Sequence, residues 1–367
     1  MNFGGIRILA RTAGRRHAPG LAVFALVSLL SGLRGAPAAH AADYFKGGIL
    51  HIVVGTPPGG GYDAYARLVG RHLGDFVPGK PNIVVENMPG ASGVKAANYL
   101  YSVAPRDGTV IASFNESMPM YQKLGKPGIQ FKADEFAWIG SLSQAVNVLA
   151  LWHTAGIGTI AQATEREIIM GADSGGGTMS DYPLLLNATL GTKFKVVAGY
   201  EGSSAVALAM ARGEVQGDGA NPWATWKATH PDWVRDRLLI PLVQVGLKKD
   251  VDLPDVPLLI DLATNDEQRL MFRFVSAPIA VERPYAGPPG MAPEARDILR
   301  AAFTRMSRDA DFTADAEKSN MDLDPQNGED VAKIVDEIIG TPDAIAEKMK
   351  LITAMSDAGS KPTSQAH

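Results

Sequence analysis

The chain has 367 residues, of which 46% are hydrophobic and 20% are charged, which is ordinary for a globular protein large enough for two cores. Its net charge is −4, and it becomes −9 when the five arginines of the first 41 residues are removed. Such an acidic protein is not expected to bind nucleic acid or an anionic membrane, and the lack of cysteine excludes disulfides, thiolate chemistry and a lipid-anchored cysteine.

The first 42 residues have the pattern of a secretory signal peptide. Four arginines between residues 7 and 16 precede an apolar run from Leu21 to Leu30, and Ala39-His40-Ala41 gives a small-x-small ending. The apolar run is too short to span a bilayer as a helix of the mature protein. We therefore expect cleavage near Ala41 and Ala42 and a mature protein free in the periplasm. A twin-arginine export route and a retained N-terminal anchor are the alternatives.

A strand that runs into a glycine-rich loop opens the mature chain. The β-forming residues 49–54 are followed by Gly55-Thr56-Pro57-Pro58-Gly59-Gly60-Gly61, and apolar residues then recur at helical spacing from Tyr65 to Leu73. Glycines leave the backbone N–H groups of the loop unscreened, and a helix N-terminus adds unpaired donors and partial positive charge. This stretch is therefore suited to holding an anion such as a carboxylate or a phosphate.

The same pattern occurs a second time. Gly171 and the glycines 175–177 repeat the spacing of Gly55 and the glycines 59–61, and both loops lead into helix-like segments that end in Leu-Gly. A short strand and a second small-residue loop follow each copy, at 89–93 and at 200–204. Two copies indicate two similar α/β lobes rather than a solenoid, which needs roughly three repeats or more.

The other elements are predicted in chain order. The first copy of the repeat has strands at 49–54, 82–86 and 109–113, helices at 62–74 and 92–101, and a turn at 105–108. Residues 115–135 are loop-rich, 136–152 carry two strand-like runs that cross into the second lobe, the second copy occupies 166–218, and 238–247 is a further strand. Residues 272–281 look extended, and helices follow at 293–307, 310–318, 328–339 and 342–354, before a disordered tail from residue 359.

This alternation of strands and helices predicts two lobes with a shared cleft. It favours mostly parallel sheets with helices on both faces, and right-handed crossovers bring the loops after the strands to one edge of each sheet. We place the first lobe at 43–147, the second at 148–271, and a return to the first lobe with the C-terminal helices and tail at 272–367. Hinge motion between the lobes would close the cleft on a ligand.

A series of motifs in fixed order carries a family resemblance. Segments 54–63, 84–93, 104–109, 171–178, 253–257 and 287–293 resemble segments of the substrate-binding proteins of tripartite tricarboxylate transporters, the Bug-type proteins. The resemblance covers most of residues 45–320, and the combination of ordered motifs is specific where a single glycine loop would not be.

The resemblance implies a periplasmic binding protein with a two-lobe α/β fold of type II that captures small carboxylates. In such proteins backbone N–H groups and bridging waters of the first glycine loop hold the carboxylate, and the second lobe closes over the rest of the ligand. In the first lobe the carried-over ligand contacts are Pro58, Gly59, Gly60, Tyr62, Asp63, Ala91 and Ser92. In the second lobe they are Ser174, Gly176, Thr178, Tyr200 and Ser203, with Asp218 near a cleft edge.

Four residues depart from the family's pattern. Thr56 stands where an aromatic residue is common, Tyr62 where a small hydroxyl residue is usual, Ser92 in place of a frequent glycine, and Glu201 in place of a frequent lysine. A phenol at position 62 would narrow the pocket or stack on an aromatic acid. An inward-facing Glu201 would repel a second carboxylate on the ligand.

Two enzyme interpretations are weaker than binding. Gly59-x-Gly61-x-x-Ala64 imitates a dinucleotide fingerprint with Glu86 ending the next strand, but four residues, two of them prolines, separate the strand from Gly59. The segment 92–95 matches the Ser-x-x-Lys motif of acyl transfer, but the chain has no Lys-Thr-Gly element and no Gly-x-Ser-x-Gly elbow.

The hypothesis is therefore a monomeric periplasmic solute-binding protein. Its ligand would be a small mono- or dicarboxylate, aromatic acids included, delivered to the membrane permease subunits of a tripartite tricarboxylate-type transporter. We expect no catalysis, no cofactor and no metal, since no metal-ligand spacing such as His-Glu-x-x-His occurs. The alternatives are a secreted hydrolase or acyl-transfer enzyme on a two-lobe fold and a ligand-sensing protein without transport.

Overall fold

The computed structural model describes residues 44–173 and 177–359, with side chains to residue 354. The predicted signal peptide and the tail beyond residue 359 lie outside the described residues.

The strands are β1 Ile49–Val54, β2 Asn82–Asn87, β3 Val110–Ser113, β4 Ala137–Ser143, β5 Asn147–Trp152, β6 Ile168–Ala172, β7 Phe194–Ala198, β8 Gly217–Pro222, β9 Leu239–Val245, β10 Glu282–Gly287 and β11 Gln326–Asn327. The α-helices are α1 Gly61–Phe76, α2 Val94–Ser102, α3 Met118–Lys123, α4 Thr178–Leu190, α5 Ser203–Arg212, α6 Trp223–Thr229, α7 Pro231–Arg235, α8 Asp266–Ser276, α9 Pro293–Met306, α10 Ala310–Lys318, α11 Gly328–Ile339 and α12 Asp343–Gly359.

The first sheet has six strands in the order β11-β4-β10-β3-β1-β2. β1 is parallel to both β2 and β3, whereas β10 is antiparallel to β3 and β4. Helices α1, α9 and α10 share one buried apolar cluster, and α2 and α11 share another. The parallel part of the sheet is thus covered on both faces, as its nearly continuous apolar strands require.

Helix α1 lies very close to its sheet. Ala66, Val69 and Leu73, three and four residues apart, are fully buried and form its inner face. A Cβ atom on Gly70 would lie 2.8 Å from the side chain of Val85 in β2. Glycine at this position therefore lets the helix approach the strand closely.

The second sheet has five strands in the order β7-β6-β8-β5-β9. β6 is parallel to β7 and β8, and β5 is antiparallel to β8 and β9. The order β2-β1-β3 of the first sheet and the order β7-β6-β8 of the second therefore have the same connections, each strand followed by a helix. The duplicated unit predicted from the glycine spacing is confirmed.

The chain crosses between the sheets at several points. β4 belongs to the first sheet and β5 to the second, and the connection between them is residues 144–146. The chain returns from β9 through α8 to β10 in the first sheet. Helix α11 then contacts β4 of the first sheet, and α12 contacts α4 and α8 beside the second. None of the described helices is long and apolar enough to cross a membrane.

The prediction that residues 272–281 are extended is wrong. This region is the end of α8, followed by a 3-10 turn at Pro278–Val281. The side chain of Asn265 accepts a hydrogen bond from the N–H of Gln268 and caps the helix start, and Asp266 and Glu267 lie in the first turn. The second half of α8 is rich in apolar residues because they face the core. In the sequence, a short apolar run of this kind cannot be distinguished from a buried strand. The loop-rich segment 115–135 also contains the short helix α3.

Candidate functional site

The candidate site lies where the loops that follow the parallel strands of both sheets face each other. Glu116 follows β3, and its carboxylate accepts a hydrogen bond from the hydroxyl of Tyr62 in the first turn of α1. The N–H of Glu116 also donates to the Tyr62 oxygen at 3.2 Å. Glu116 and Ser117 line a cavity of about 140 Å³ together with Asn147, Gly177 and Thr178. The cavity is therefore lined by residues that follow β3 and by residues at the end of the second glycine loop, and Glu116 links it to the start of α1 through Tyr62.

Asp63 determines the shape of the first glycine loop. Its carboxylate accepts hydrogen bonds from the N–H of Gly59 at 2.9 Å, from Nε of Arg67 at 3.0 Å and from the side-chain amide of Asn87 at 2.8 Å. The hydrogen bond from Arg67, together with those from Gly59 and Asn87, lowers the pKa of Asp63 to about 2 despite its burial. Both carboxylate oxygens bind groups of the chain, so Asp63 acts here as a structural residue.

The rest of the first loop is open. Pro58, Gly59 and Gly60 are exposed, and Gly60 precedes α1 in an extended conformation with φ −85°. The first N–H groups of a helix have no intrahelical acceptor, so the start of α1 presents donors and partial positive charge. The N–H of Gly59 is already used by Asp63, which leaves the donors that follow it in the chain for an anion.

The loop after β2 is conformationally strained. Ala91 and Ser92 are exposed and have φ values of +46° and +53°, in the left-handed region that non-glycine residues rarely occupy. Ser92 is the position at which the sequence departs from a frequent glycine. Strain of this kind costs about 1–3 kcal/mol per residue and is concentrated at functional sites.

Only some of the predicted ligand contacts of the second lobe lie among the described residues. Gly177 precedes α4, and Thr178 begins the helix and is exposed. Tyr200 packs against the buried apolar cluster of the second sheet, and Ser203 begins α5. Glu201 is exposed. Ser174 and Gly176 lie outside the described residues.

The expectation that Asp218 lies near a cleft edge is not met. Asp218 is the second residue of β8, a strand that lies between β5 and β6, and its exposed fraction is 0%. One carboxylate oxygen accepts from the N–H of Ala220 at 2.8 Å, and the other has no hydrogen-bond partner among the described residues. Burial, with a smaller contribution from Asp173, raises the pKa of Asp218 to about 7.

A residue that the sequence analysis did not identify, Arg283, lies over the start of α1. Its guanidinium carbon is 4.4 Å from the ring centroid of Tyr62 and 5.3 Å from that of Tyr65. Its Nη1 forms an ion pair with Glu282 at 3.1 Å. A Cβ atom on Gly61 would lie 3.1 Å from Nη2 of Arg283, so glycine at this position leaves room for the guanidinium.

The two tyrosines at the start of α1 are neutral at ordinary pH. Burial and the carboxylate of Glu116 raise the pKa of Tyr62 well above 10. Burial likewise raises the pKa of Tyr65 to about 12. Arg283 therefore lies against two uncharged aromatic rings, an arrangement in which the guanidinium is attracted to the ring faces.

A second cavity has a volume of about 560 Å³. It is lined by Tyr65, Glu282 and Arg283 near the first sheet, by residues 143–146 at the crossing, and by Pro222 and Thr225 near the second sheet. This cavity thus takes residues from both sheets. In the described part of the chain no group of three metal-binding side chains occurs.

The chain is similar to one curated protein along nearly its whole length. It is 26% identical over 351 residues to the UPF0065 protein in the gbd 5′ region of Cupriavidus necator, a match that covers 93% of this chain and 99% of that protein. No protein-family model matches the chain.

Solved structures share the fold. A TctC solute-binding protein from Polaromonas, solved without ligand, has a TM-score of 0.65 at 19% identity and covers 84% of this chain and 98% of its own. Rpa4515 of R. palustris with adipate has a TM-score of 0.54 at 19% identity, over 83% of this chain and 97% of its own. The periplasmic binding protein BugD has a TM-score of 0.53 at 17% identity, over 83% and 97%.

These matches confirm the predicted fold class, an α/β fold of the type II periplasmic binding proteins. The resemblance predicted from the motifs is confirmed as well: the chain is similar to the UPF0065, Bug-type solute-binding proteins in sequence and shares their fold.

Proposed function

We propose that the protein is exported to the periplasm as a monomer and captures a small organic carboxylate between its two lobes. The ligand would then pass to the membrane permease subunits of a tripartite tricarboxylate-type transporter. Capture needs no bond making or breaking, so the site serves binding and not catalysis. The proposed first-lobe contacts are the donors that follow Gly59, with Ala91 and Ser92. The proposed second-lobe contacts are Ser174, Gly176, Thr178, Tyr200 and Ser203.

One observation carries this proposal. The same strand, loop and helix unit occurs in both sheets. Gly177 and Thr178, at the end of the second glycine loop, line one cavity with Glu116, and Glu116 is hydrogen-bonded to Tyr62 at the start of α1. Helix N-termini that approach a cleft from opposite sides suit an anion, because both add donors and positive potential. Charge-assisted hydrogen bonds to a carboxylate become stronger when closure excludes water.

The comparisons support the class of ligand and the location. The whole-length similarity to a UPF0065 protein and the fold shared with a TctC solute-binding protein and BugD favour periplasmic solute binding. A protein with this fold was solved with adipate, a dicarboxylate. The crossings between the sheets lie beside the cavities, which is where a hinge would allow the lobes to close.

Binding without turnover tests the proposal. Purified mature protein is incubated with mono- and dicarboxylates of two to eight carbons, benzoate among them, and its melting temperature is measured; calorimetry then gives the affinity of each acid that stabilises it. The same mixtures are examined by mass spectrometry for new products. Saturable stabilisation by an acid that is recovered unchanged supports the proposal. Product formation would favour a hydrolase, and stabilisation by cations or neutral sugars alone would exclude a carboxylate site.

A further inference from the structure

Arg283 is a cation at the point where the first sheet meets the crossing between the lobes. It is the second residue of β10, its side chain is 20% exposed, and it lines the cavity of about 560 Å³ that takes residues from both sheets. Its Nη2 lies beside Gly61 at the start of α1. The guanidinium therefore adds a full positive charge beside the donors of the helix N-terminus.

The guanidinium is only partly used within the chain. Nη1 pairs with Glu282, whereas Nε is buried and has no hydrogen-bond acceptor among the described residues. Buried donors of native proteins nearly always have an acceptor, and an unpaired one calls for an explanation. A guanidinium at a cavity wall whose donors are not all paired can bind a carboxylate through hydrogen bonds.

The backbone of Arg283 is also strained. Its φ is +59°, in the left-handed region that is costly for a residue with a long side chain. The adjacent aromatic rings of Tyr62 and Tyr65 lie against the guanidinium and limit its rotation. A strained residue whose charged group is oriented by packing is typical of a ligand-binding position.

From this arrangement we propose that Arg283 pairs with a carboxylate of the bound ligand and thereby selects anionic ligands. The inference rests on the proposed carboxylate-binding function and identifies a residue for it. The ligand carboxylate lies against the guanidinium in the cavity of about 560 Å³, beside the start of α1, and Tyr62 and Tyr65 position the guanidinium. Glu282 is the counter-ion of Arg283 in the absence of ligand, and the ligand shares the guanidinium with it.

The acidic neighbours of Arg283 each have another partner. The Glu116 carboxylate accepts from Tyr62, and the carboxylate of Glu282 accepts from the hydroxyl of Ser143 at 3.3 Å. Burial raises the pKa of Glu282, because its charged form is less stable in the fold than in water. The incoming carboxylate competes with Glu282 for the guanidinium.

The test compares four proteins against the same panel of acids: the wild type, Arg283→Gln, Arg283→Lys and the control Arg296→Gln. Arg296 lies on α9, and its ion pair with Asp297 is on the surface. For each acid of the panel that binds the wild type, we expect Arg283→Gln to weaken binding about 10- to 100-fold, the range for a hydrogen-bonded charged pair. Arg283→Lys keeps the charge but not the planar edge and recovers part of the loss. Arg296→Gln binds as the wild type does.

Glu282→Gln separates ligand binding by Arg283 from a structural role. If Arg283 binds the ligand, removal of its competing counter-ion tightens carboxylate binding; if the ion pair merely supports the fold, binding weakens or stays the same. Adipamide, the neutral diamide of adipate, measures the contribution of ligand charge and should be unaffected by Arg283→Gln.

The outcomes are distinct. An acid that binds the wild type and Arg283→Gln within about threefold, with both proteins folded by circular dichroism, overturns the role of Arg283 and leaves the proposed function intact. Failure of every acid to bind the wild type overturns the proposed function, and the inference about Arg283 fails with it.

Discussion

The carboxylate of Asp63 accepts a hydrogen bond from the backbone N–H of Gly59 at 2.9 Å, across the start of α1. The residue that fixes the glycine loop thus lies in the helix that follows it and is buried, with 3% of its surface exposed. Arg67 and Asn87 hold the same carboxylate in place. The loop is consequently a rigid part of the first lobe, and its conformation depends on the charge of one carboxylate.

Asp63→Asn should destabilise the protein by about 2 kcal/mol at pH 7, because the pKa of Asp63 is lowered to about 2 from its usual 3.8. A lowered pKa stabilises the fold above pH 3.8, and the contribution disappears as the pH falls toward 2. The difference in the free energy of unfolding between wild type and variant, measured by urea denaturation, should therefore narrow below about pH 4.

The control is Asp75→Asn on the same helix. Asp75 pairs with Lys80, and both side chains are at least 70% exposed, so this change should cost less than about 0.5 kcal/mol. Equal effects of the two substitutions, or a difference for Asp63→Asn that does not depend on pH, would contradict the assigned role of Asp63.

Gly60→Val should weaken carboxylate binding by over about 1 kcal/mol while the fold survives, because a side chain would cover the loop's backbone donors. Gly60 has a φ of −85°, which any residue can adopt, and the nearest atom to its Cβ would be the carbonyl oxygen of Pro57 at 3.9 Å. Calorimetry with the tightest-binding acid of the panel measures the affinity, and thermal unfolding measures the stability.

Gly191→Ala provides the opposite control. Gly191 ends α4 with a φ of +71°, so alanine there should lower stability by about 1 kcal/mol and leave binding unchanged. Unchanged affinity in Gly60→Val would count heavily against the first glycine loop as the site.

The duplicated unit could be predicted from the sequence because it depends on local pattern. Glycine spacing, apolar periodicity and turn residues each act within a few positions of the chain, and they correctly placed β1 and the start of α9. The error at α8 has the same origin, since an apolar run without its cap at Asn265 looks like a strand. The local sequence pattern determines most helices and strands, but it does not determine which of them pack together.

The charges around the site could not be predicted in this way. Tyr62 and Glu116 are 54 positions apart in the sequence. Arg283 lies much later in the chain, in β10, which pairs with β3 in the first sheet. Neither Glu116 nor Arg283 lies in a motif, and their meeting depends on how β3 and β10 pair. Asp218 shows the converse: the family resemblance suggested a residue near the cleft edge, whereas pairing on both sides of β8 buries it.

Tyr62→Phe tests the contact with Glu116. The substitution keeps the aromatic ring beside Arg283 but removes the hydroxyl that donates to the Glu116 carboxylate. We expect a loss of about 1–2 kcal/mol in the free energy of unfolding, since the hydrogen bond is charge-assisted and partly buried. Tyr44→Phe is the control, because its exposed hydroxyl donates to the neutral carbonyl of Asp107. An equal cost for the two substitutions would mean that the hydrogen bond to the Glu116 carboxylate contributes no more stability than an exposed one to a neutral carbonyl.

Asp218→Asn should make the protein more stable at alkaline pH. The pKa of Asp218 is raised to about 7 in the fold, so the folded protein keeps a proton that the unfolded chain loses near pH 4. Wild-type stability therefore falls as the pH rises from about 4 to 7, and the ionised carboxylate costs up to about 4 kcal/mol above that. Because asparagine buries an amide in the same place, the net gain at pH 8 should be smaller, about 1–3 kcal/mol.

The pH dependence of this difference distinguishes ionisation from packing. Denaturant unfolding of both proteins between pH 4 and 8 should give curves whose separation shrinks steadily toward pH 4, where the wild-type carboxyl is protonated in the fold and increasingly in the unfolded chain as well. A packing effect would shift the two curves in parallel. A variant that is less stable than the wild type at every pH would show that the protonated carboxyl makes contacts that the amide cannot replace, and that ionisation of Asp218 does not limit stability.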